Sequence, residues 1–445
     1  MTRKTLTLDA AFDRKLIGGR GGSSRYLVVT LTAPDRDPKE GDASVAKNLA
    51  LIIDASGSMS GGKLEAAAAA AAGVVERLEP ADRLSLVSFA TDVVTHLSAV
   101  RMDDEGKRGA LGLIGTLGPR DMTNLSGGWQ AGAKAVGLAM SEGERGRNHL
   151  VLLTDGMANR GIVEPFVLAT QATELLGRGI TSSAVGIGED YSSDQIEAIG
   201  TAGGGGFDHA SIPSEIMEIV LGRLATIGEI TAEAVRVKVK LPEGSVATCL
   251  SRFPSQLEGT TLEVSVGGIP SGGSRQIVFR VVMPAGEAGG ELPFHVTATW
   301  RKPGDAETLA SQLLELPVRF ATPAEVAAQP RDGEASRPAA KAWYADVLHR
   351  TLELNREHRF EDAVTFIREQ LLYFERYCAG VEGTEELVTE MRRLEAHAGR
   401  QWGELTRKEV GAMSSKAGRS EVDYRRTARM RTASMILDDD DKSAT

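Results

Sequence analysis

The sequence predicts an α/β unit with a doubly wound, mostly parallel sheet, inserted into an all-β sandwich and followed by an α-helical bundle and a disordered tail. Three observations lead to this fold class. Residues 47–228 alternate apolar strands with helical stretches, as in a parallel sheet covered by helices. Residues 229–320 are short alternating runs separated by Gly and Pro turns, which is typical of a sandwich. Residues 339–409 have helical periodicity, which indicates a bundle.

Changes in composition along the chain predict the remaining domain boundaries. Residues 1–46 contain two strands and a polar connector, and residues 321–338 form a linker rich in Ala, Pro, Glu and Arg. Residues 410–445 are densely charged and contain few large apolar side chains. Such a segment cannot bury enough surface to fold alone, so we predict a disordered tail.

The two N-terminal strands, 5–12 and 24–34, flank a glycine-rich segment at 16–22. This segment does not end in Gly-Lys-Ser/Thr and does not open a helix, so we predict a flexible hairpin loop rather than a phosphate-binding loop. Two strands alone are marginally stable at best. We therefore expect them to pair with strands of the sandwich, so that the α/β unit is inserted through two adjacent connections.

Individual elements can be placed from the apolar pattern. The strands predicted in the α/β unit are 48–54, 83–89, 93–97, 149–154, 181–187 and 206–209, and the helices are 63–79, 105–115, 125–142, 164–178, 193–201 and 213–227. The strands predicted in the sandwich are 231–241, 245–250, 256–258, 261–266, 275–283, 292–301 and 308–320. The bundle helices are 339–355, 360–378 and 384–405, with an aromatic stripe as their core.

Composition also excludes several classes of function. A net charge of −10 argues against general binding to nucleic acid or to a membrane surface. No apolar stretch approaches the length of a membrane span, and no secretory signal is visible. The two cysteines, Cys249 and Cys378, lie in different predicted domains, which favours buried thiols in a reducing compartment. We therefore expect a cytoplasmic protein.

The segment 51–60 carries the most informative cluster of polar residues. The apolar run of Leu51, Ile52 and Ile53 ends in Asp54, and Ser56 and Ser58 follow on alternate positions of one tight loop. Closely spaced hard oxygen donors suit a hard divalent cation, Mg²⁺ above all, and they are also compatible with Ca²⁺ or Mn²⁺. The alternative is that no metal binds and that Ser56 and Ser58 only cap the following helix.

Asp-x-Ser-x-Ser after an apolar strand resembles the metal-ion-dependent adhesion site of von Willebrand factor type A domains. That family also uses a Thr and an Asp from two later loops. Thr123 precedes a predicted helix, and Asp155 ends a predicted strand, in the expected order. The chain therefore resembles a bacterial type A domain protein with a complete motif, formed by Asp54, Ser56, Ser58, Thr123 and Asp155.

The resemblance implies a mechanism. In the family the Ser and Thr hydroxyls hold the cation, the two Asp residues supply negative charge from further out, and an acidic residue of a partner protein fills an open coordination position. This implies a non-enzymatic cytosolic adaptor. Bacterial relatives of this kind act with Ser/Thr kinases, phosphatases or AAA+ ATPases.

Two other functions remain open at this stage. A hydrolase could use the same Mg²⁺, but His209 is the only nearby candidate base, and no Gly-x-Ser-x-Gly elbow occurs. An exported adhesin would need a route of secretion other than a signal peptide.

The tail contains candidate phosphorylation sites. Thr427, Thr432 and Ser434 each follow Arg at two or three residues, a pattern that resembles the substrates of basophilic Ser/Thr kinases. A phosphate would add negative charge that an Arg-lined forkhead-associated domain could bind. The alternative is a solvated tail whose basic and acidic halves keep it soluble.

Overall fold

The computed structural model describes residues 5–36, 45–120, 122–143, 146–156, 158–188, 193–305, 307–419 and 436–437. Its first strands are β1 (Thr7–Phe12), β2 (Leu16–Gly18) and β3 (Ser24–Thr32). β1 and β3 pair antiparallel, and β2 joins a different sheet. The segment 16–22 therefore begins with a strand, and the prediction of a flexible loop is wrong there.

A six-stranded sheet with helices between its strands follows, from Lys47 onward. Its elements are β4 (Lys47–Asp54), α1 (Lys63–Arg77), β5 (Arg83–Phe89), β6 (Val93–Arg101), α2 (Asp104–Ile114), α3 (Leu125–Ser141), β7 (Arg147–Thr154), α4 (Pro165–Gly177), β8 (Ile180–Ile187), α5 (Ser193–Ala202), β9 (Gly204–Ala210) and α6 (Pro213–Glu229). The strand order is β6-β5-β4-β7-β8-β9, with only the β5–β6 pair antiparallel. The predicted α/β fold with a mostly parallel sheet is confirmed.

Both faces of this sheet are buried, which explains why its strands read as continuous apolar runs. Leu51 and Ile53 pack in the core beneath α1 and α6, and Ile52 packs in the core beneath α3. Glycines bring α3 close to the sheet. A Cβ at Gly132 would lie 2.5 Å from Cδ1 of Ile52, and one at Gly128 would lie 2.5 Å from the Phe89 ring.

The next eight strands form two sheets together with the N-terminal strands. They are β10 (Ile230–Lys240), β11 (Val246–Cys249), β12 (Ser255–Glu258), β13 (Thr261–Pro270), β14 (Ser274–Val282), β15 (Glu291–Arg301), β16 (Thr308–Ala310) and β17 (Leu314–Ala321). One sheet has the order β1-β3-β14-β11, and the other has the order β12-β13-β10-β15-β17-β2, with β16 on β15. β14 pairs with the whole length of β3, from Thr32↔Ser274 to Ser24↔Val282. Side chains of both sheets share one core.

Two elements in this region differ from the sequence prediction. β2 exists because Leu16 and Ile17 pair parallel with Arg319 and Phe320 of β17, a long-range contact that local pattern does not reveal. The predicted strand 308–320 is divided into β16 and β17. β16 pairs with the Thr299–Arg301 end of β15, whereas β17 pairs with residues at its other end.

The helical region contains α7 (Pro323–Ala328), α8 (Gly333–Arg356), α9 (Phe360–Cys378), α10 (Glu385–Ala398) and α11 (Glu404–Arg419). α8 begins inside the predicted linker, because the Asp332 carboxylate accepts hydrogen bonds from the N–H groups of Glu334 and Ala335 and caps the helix. The predicted helix 384–405 is two helices. Trp402 lies in the break, where it is buried and its backbone N–H donates to Oδ1 of Asn355 at 3.2 Å.

The prediction of a disordered tail from residue 410 is wrong for its first ten residues. These residues continue α11, and Val410 and Ala412 are buried. Ile436 and Leu437 also lie in the apolar core of the helical region. The candidate phosphorylation sites Thr427, Thr432 and Ser434 lie outside the described residues.

Ion pairs join the three parts of the chain around a cleft of about 750 Å³. Arg252, from the loop after β11, pairs with Glu197 of α5 at 2.9 Å and contacts Nδ1 of His349 in α8 at 2.6 Å. Arg356 of α8 pairs with Asp194 of α5. The helical region is therefore docked on both of the units that precede it.

The cysteines and the helix lengths bear on two further sequence predictions. Cys249 and Cys378 form no disulfide; Cys378 is buried, whereas Cys249 is only partly buried. Within the described residues, no helix combines the length and the apolarity needed to cross a membrane.

Candidate metal centre

Two buried carboxylates lie at the carboxyl edge of the six-stranded sheet. Asp54 is the last residue of β4, and Asp155 directly follows β7, the strand paired with β4. Parallel neighbours end at the same edge, which brings the two residues together. Asp54 accepts hydrogen bonds from the Thr154 hydroxyl at 2.5 Å and from the N–H of Ser56 at 2.8 Å. These contacts fix its carboxylate at the rim of the sheet.

The two serines link these carboxylates. A short 3₁₀ turn at Gly57–Met59 follows Ser56, and it places Oγ of Ser56 3.0 Å from Oγ of Ser58. Ser58 in turn donates to Oδ1 of Asp155 at 2.7 Å. The loop after β4 is thus connected to the end of β7 by a chain of hydroxyl hydrogen bonds.

Thr123 approaches from a third loop. Its N–H donates to Oδ1 of Asn159, and its carbonyl oxygen accepts from the N–H of Asn159, both at 3.2 Å. A Cβ built at Gly156 would lie 3.1 Å from Oγ1 of Thr123 and 3.4 Å from Oδ2 of Asp54. The Thr123 hydroxyl and the Asp54 carboxylate therefore both face the space that a side chain at position 156 would fill.

Met122, beside Thr123, is held without entering the site. Its N–H donates to Oγ1 of Thr91 at 3.1 Å, and its side chain is 43% exposed. Two backbone hydrogen bonds anchor the neighbouring loop residues to the sheet. The N–H of Arg120 donates to the carbonyl oxygen of Ala55, and the N–H of Asn124 donates to that of Ala90. The five residues of the predicted motif therefore lie together at the carboxyl edge of the six-stranded sheet.

Lys63 also lies at this site, although the sequence did not predict it there. This residue begins α1, and its Nζ lies 2.6 Å from Oδ2 of Asp155. Nothing in the Asp-x-Ser-x-Ser pattern points to it. One signal was available, because a cation at the first position of a helix opposes the helix dipole and needs a compensating anion.

The donor set fits a hard divalent cation. Every candidate ligand atom is an oxygen, and the Asp54 and Asp155 side chains are fully buried, a state in which a carboxylate is stabilised by a nearby cation. A thiolate or imidazole site is a poor match. In the part of the chain that the structure describes, no group of three or more His, Cys, Asp or Glu side chains could hold a metal.

Asp54 gives the metal-free protein a pH-dependent stability. Burial raises its pKa to about 6 from an ordinary value of 3.8, although hydrogen bonds from Thr154 and Ser56 act in the opposite direction. Between pH 3.8 and about 6, the Asp54 carboxyl holds a proton in the folded protein but not in the unfolded chain. The contribution of Asp54 to the free energy of unfolding therefore rises as the pH falls from about 6 to about 4.

We expect Asp54→Asn to remove this part of the pH dependence. Urea denaturation in EDTA between pH 4 and 7 measures it, and Asp104→Asn, at an exposed position of α2, is the matched control. An unchanged slope in Asp54→Asn would assign the effect to another group.

Two histidines of this unit, His149 and His209, are buried in the sheet. His209, the candidate base, lies on β9 and is 1% exposed. His149 lies near the start of β7, at the end of the sheet opposite Asp155, and its Nε2 is 2.7 Å from Oγ of Ser183. Burial lowers the pKa of His149 to about 3. This Ser–His pair is enclosed, so its neutral imidazole serves as a hydrogen-bonding group of the core.

Sequence comparison assigns the α/β unit. Residues 48–219 match the family model of the von Willebrand factor type A domain, so the chain contains such a domain. The protein sll0103 of Synechocystis is 25% identical over 327 residues, which cover 70% of this chain and 74% of that protein. Human inter-alpha-trypsin inhibitor heavy chain H3 is 30% identical over 159 residues, 34% of this chain but only 18% of that protein.

Solved structures extend the likeness beyond the type A domain. A von Willebrand factor type A protein from Catenulispora acidiphila has a TM-score of 0.69 at 18% identity, covering 95% of this chain and 98% of that chain. The ArnB paralog VWA2 from Sulfolobus acidocaldarius has a TM-score of 0.58 at 16% identity, with 94% and 98% covered. These neighbours share the fold of nearly the whole chain.

Proposed function

We propose that this protein is a non-enzymatic adaptor that binds an acidic residue of a partner protein through a divalent cation, Mg²⁺ above all. Ca²⁺ and Mn²⁺ suit the same donors. The observation that supports the proposal is the convergence of three loops, which bring Asp54, Ser56, Ser58, Thr123 and Asp155 to one edge of the sheet. The type A domain match over residues 48–219 supports the same function.

Each residue has a distinct part in this proposal. Ser56, Ser58 and Thr123 would hold the cation through neutral hydroxyl oxygens, and Asp54 and Asp155 would supply negative charge beside it. The bound cation supplies a coordination position for a carboxylate. Because the hydroxyls carry no charge, they neutralise less of the positive charge than carboxylate ligands would, and this favours binding of the partner's acid.

The partner is proposed by its chemistry, as a protein that presents an accessible Asp or Glu. Ser/Thr kinases, forkhead-associated domain proteins, phosphatases and AAA+ ATPases are the classes that the sequence resemblance suggests. Regulation by phosphates at Thr427, Thr432 and Ser434 stays a prediction. An adaptor of this kind needs no catalytic base, which is consistent with the burial of His149 and His209.

Titration with Mg²⁺ by calorimetry tests the proposal. We expect the wild-type protein to bind Mg²⁺ and Thr123→Ala to bind it at least about tenfold more weakly, the size of effect expected when a site loses an oriented ligand. Thr170→Ala makes the same chemical change on an exposed face of α4 and serves as the control. Cross-linked capture of partners with Mg²⁺ or EDTA then shows whether the cation carries the interaction.

Two results would contradict the proposal. Equal Mg²⁺ affinity in the wild type and Thr123→Ala would remove Thr123 from the site. Turnover of a phosphoester panel that needs Mg²⁺ and is lost in Asp54→Ala and Thr123→Ala would instead favour a hydrolase.

A further inference from the structure

Lys63 occupies a position that its own helix does not favour. It is the first residue of α1, it follows Gly62 in the left-handed conformation, and no side chain caps this helix end. The N–H groups of a helix's first turn carry partial positive charge, so a second positive charge is repelled. The contact with Asp155, which accepts from the ammonium group at 2.6 Å, offsets this repulsion.

The surroundings hold Lys63 in this contact. Its side chain is 22% exposed, and the carboxylate that it contacts is completely buried. A Cβ built at Gly188, just beyond the end of β8, would lie 3.4 Å from Cε and 3.5 Å from Nζ of Lys63. The ammonium group therefore lies between the ends of two strands, beside the predicted metal ligands.

The two oxygens of Asp155 have different partners. Oδ1 accepts from the Ser58 hydroxyl at 2.7 Å, and Oδ2 accepts from Lys63. The hydroxyl cluster of Ser56 and Ser58 lies on the Oδ1 side. The Asp155 carboxylate thus contacts both the hydroxyl cluster that would hold the cation and the ammonium group of Lys63.

We propose that Lys63 is a built-in counter-cation that sets the affinity of this site for divalent metal. This rests on the proposed function, because it concerns the same centre. With Lys63 in place, the positive charge of the ammonium offsets one of the two carboxylates. A divalent cation consequently binds less tightly and retains more positive charge for the acid of the partner.

Lys63 also stabilises the protein before metal binds. Removing it leaves Asp155 buried without its ionic partner, which destabilises the metal-free form. A divalent cation would then substitute for the missing positive charge. Lys63→Met should therefore lower the melting temperature in EDTA and show a larger gain on adding metal than the wild type.

Binding of Mn²⁺ alone tests the proposal, measured from the electron paramagnetic resonance signal of the free ion. We expect Lys63→Met to bind Mn²⁺ about tenfold more tightly than the wild type, because a charge-assisted contact that competes for Asp155 has been removed. Lys63→Arg retains the charge and should stay near the wild-type affinity. Lys134→Met, on an exposed face of α3, is the control for loss of a lysine.

The same substitution made in the Asp155→Asn protein shows whether the effect of Lys63 on Mn²⁺ affinity depends on Asp155. In Asp155→Asn, the Lys63→Met change should no longer alter Mn²⁺ affinity, because the charge pair is already broken. Equal affinity of the wild type and Lys63→Met, with measurable binding in both, overturns the role of Lys63 and leaves the metal site standing. Absence of Mn²⁺ binding in both proteins, with intact circular dichroism spectra, overturns the metal site itself.

Discussion

Replacing Arg147 with methionine is expected to lower the free energy of unfolding by about 3–5 kcal/mol, the cost of removing one partner from a buried charged network. Arg147 begins β7 and is 8% exposed. Its guanidinium donates to the carbonyl oxygens of Gly228 at 3.0 Å and Ile230 at 2.8 Å. Methionine fills a similar volume but removes the guanidinium donor from these partly buried carbonyl oxygens.

Arg147 matters because it contacts both chain connections of the type A domain. Val45 precedes β4, and its carbonyl oxygen lies 3.4 Å from Nη1 of Arg147. Gly228 and Ile230 lie where α6 leads into β10. Glu233 lies 3.9 Å from Nε of Arg147, and burial raises the pKa of Glu233 to about 7 even beside this cation. A single side chain therefore fixes the entry and the exit of the domain.

Chemical denaturation gives the stability change, and limited proteolysis at the two connections shows whether they open. Arg178→Met, at an exposed site after α4, should change the free energy of unfolding by no more than about 0.5 kcal/mol. Arg147→Lys should fall between the wild type and Arg147→Met, because lysine keeps the charge but lacks the planar set of donors. Equal stability and equal proteolysis in Arg147→Met and Arg178→Met would show that Arg147 does not hold the connections.

The α/β unit could be predicted from the sequence because its signals are local. Each buried strand is a continuous apolar run, and each helix has its own periodicity, so strands such as Arg83–Phe89 begin and end where the pattern places them. Asp54 was found as the polar end of an apolar run, and Asp155 was found from the resemblance to the type A domain motif. Because each follows or ends a parallel strand of one sheet, both lie at the same edge.

The features that were missed depend on contacts between distant residues. Leu16–Gly18 forms a strand only because β17 lies beside it. The part of α11 from Val410 onward looks like a tail by composition, yet Val410 is buried against the helical region. Lys63 belongs to the site through its contact with Asp155, across 92 residues of sequence. Periodicity and spacing cannot reveal such partners.

The aromatic stripe of α8 and α9 was predicted as the core of a separate bundle, and the structure gives it a wider role. Trp343 stacks on Tyr26 of β3 with ring centroids 5.4 Å apart, and it meets the edges of Phe374 and Tyr377 at 5.3 and 5.6 Å. Its indole N–H donates to Gln370 at 2.8 Å. One side chain thus joins two helices to the four-stranded sheet.

Trp343→Ala is consequently expected to destabilise the protein by about 3–5 kcal/mol, the usual cost of deleting a large buried aromatic side chain. Because Tyr26 loses its stacking partner, amide hydrogen exchange should accelerate in β3 and β14 as well as in α8 and α9. Tyr373→Ala, at a side chain of α9 that is 59% exposed, is the control and should leave the exchange of these strands unchanged. Faster exchange confined to the helices would mean that the bundle unfolds without the sheet. The rings would then be a surface contact between independent units, and the helical region could move while the N-terminal strands stay in place.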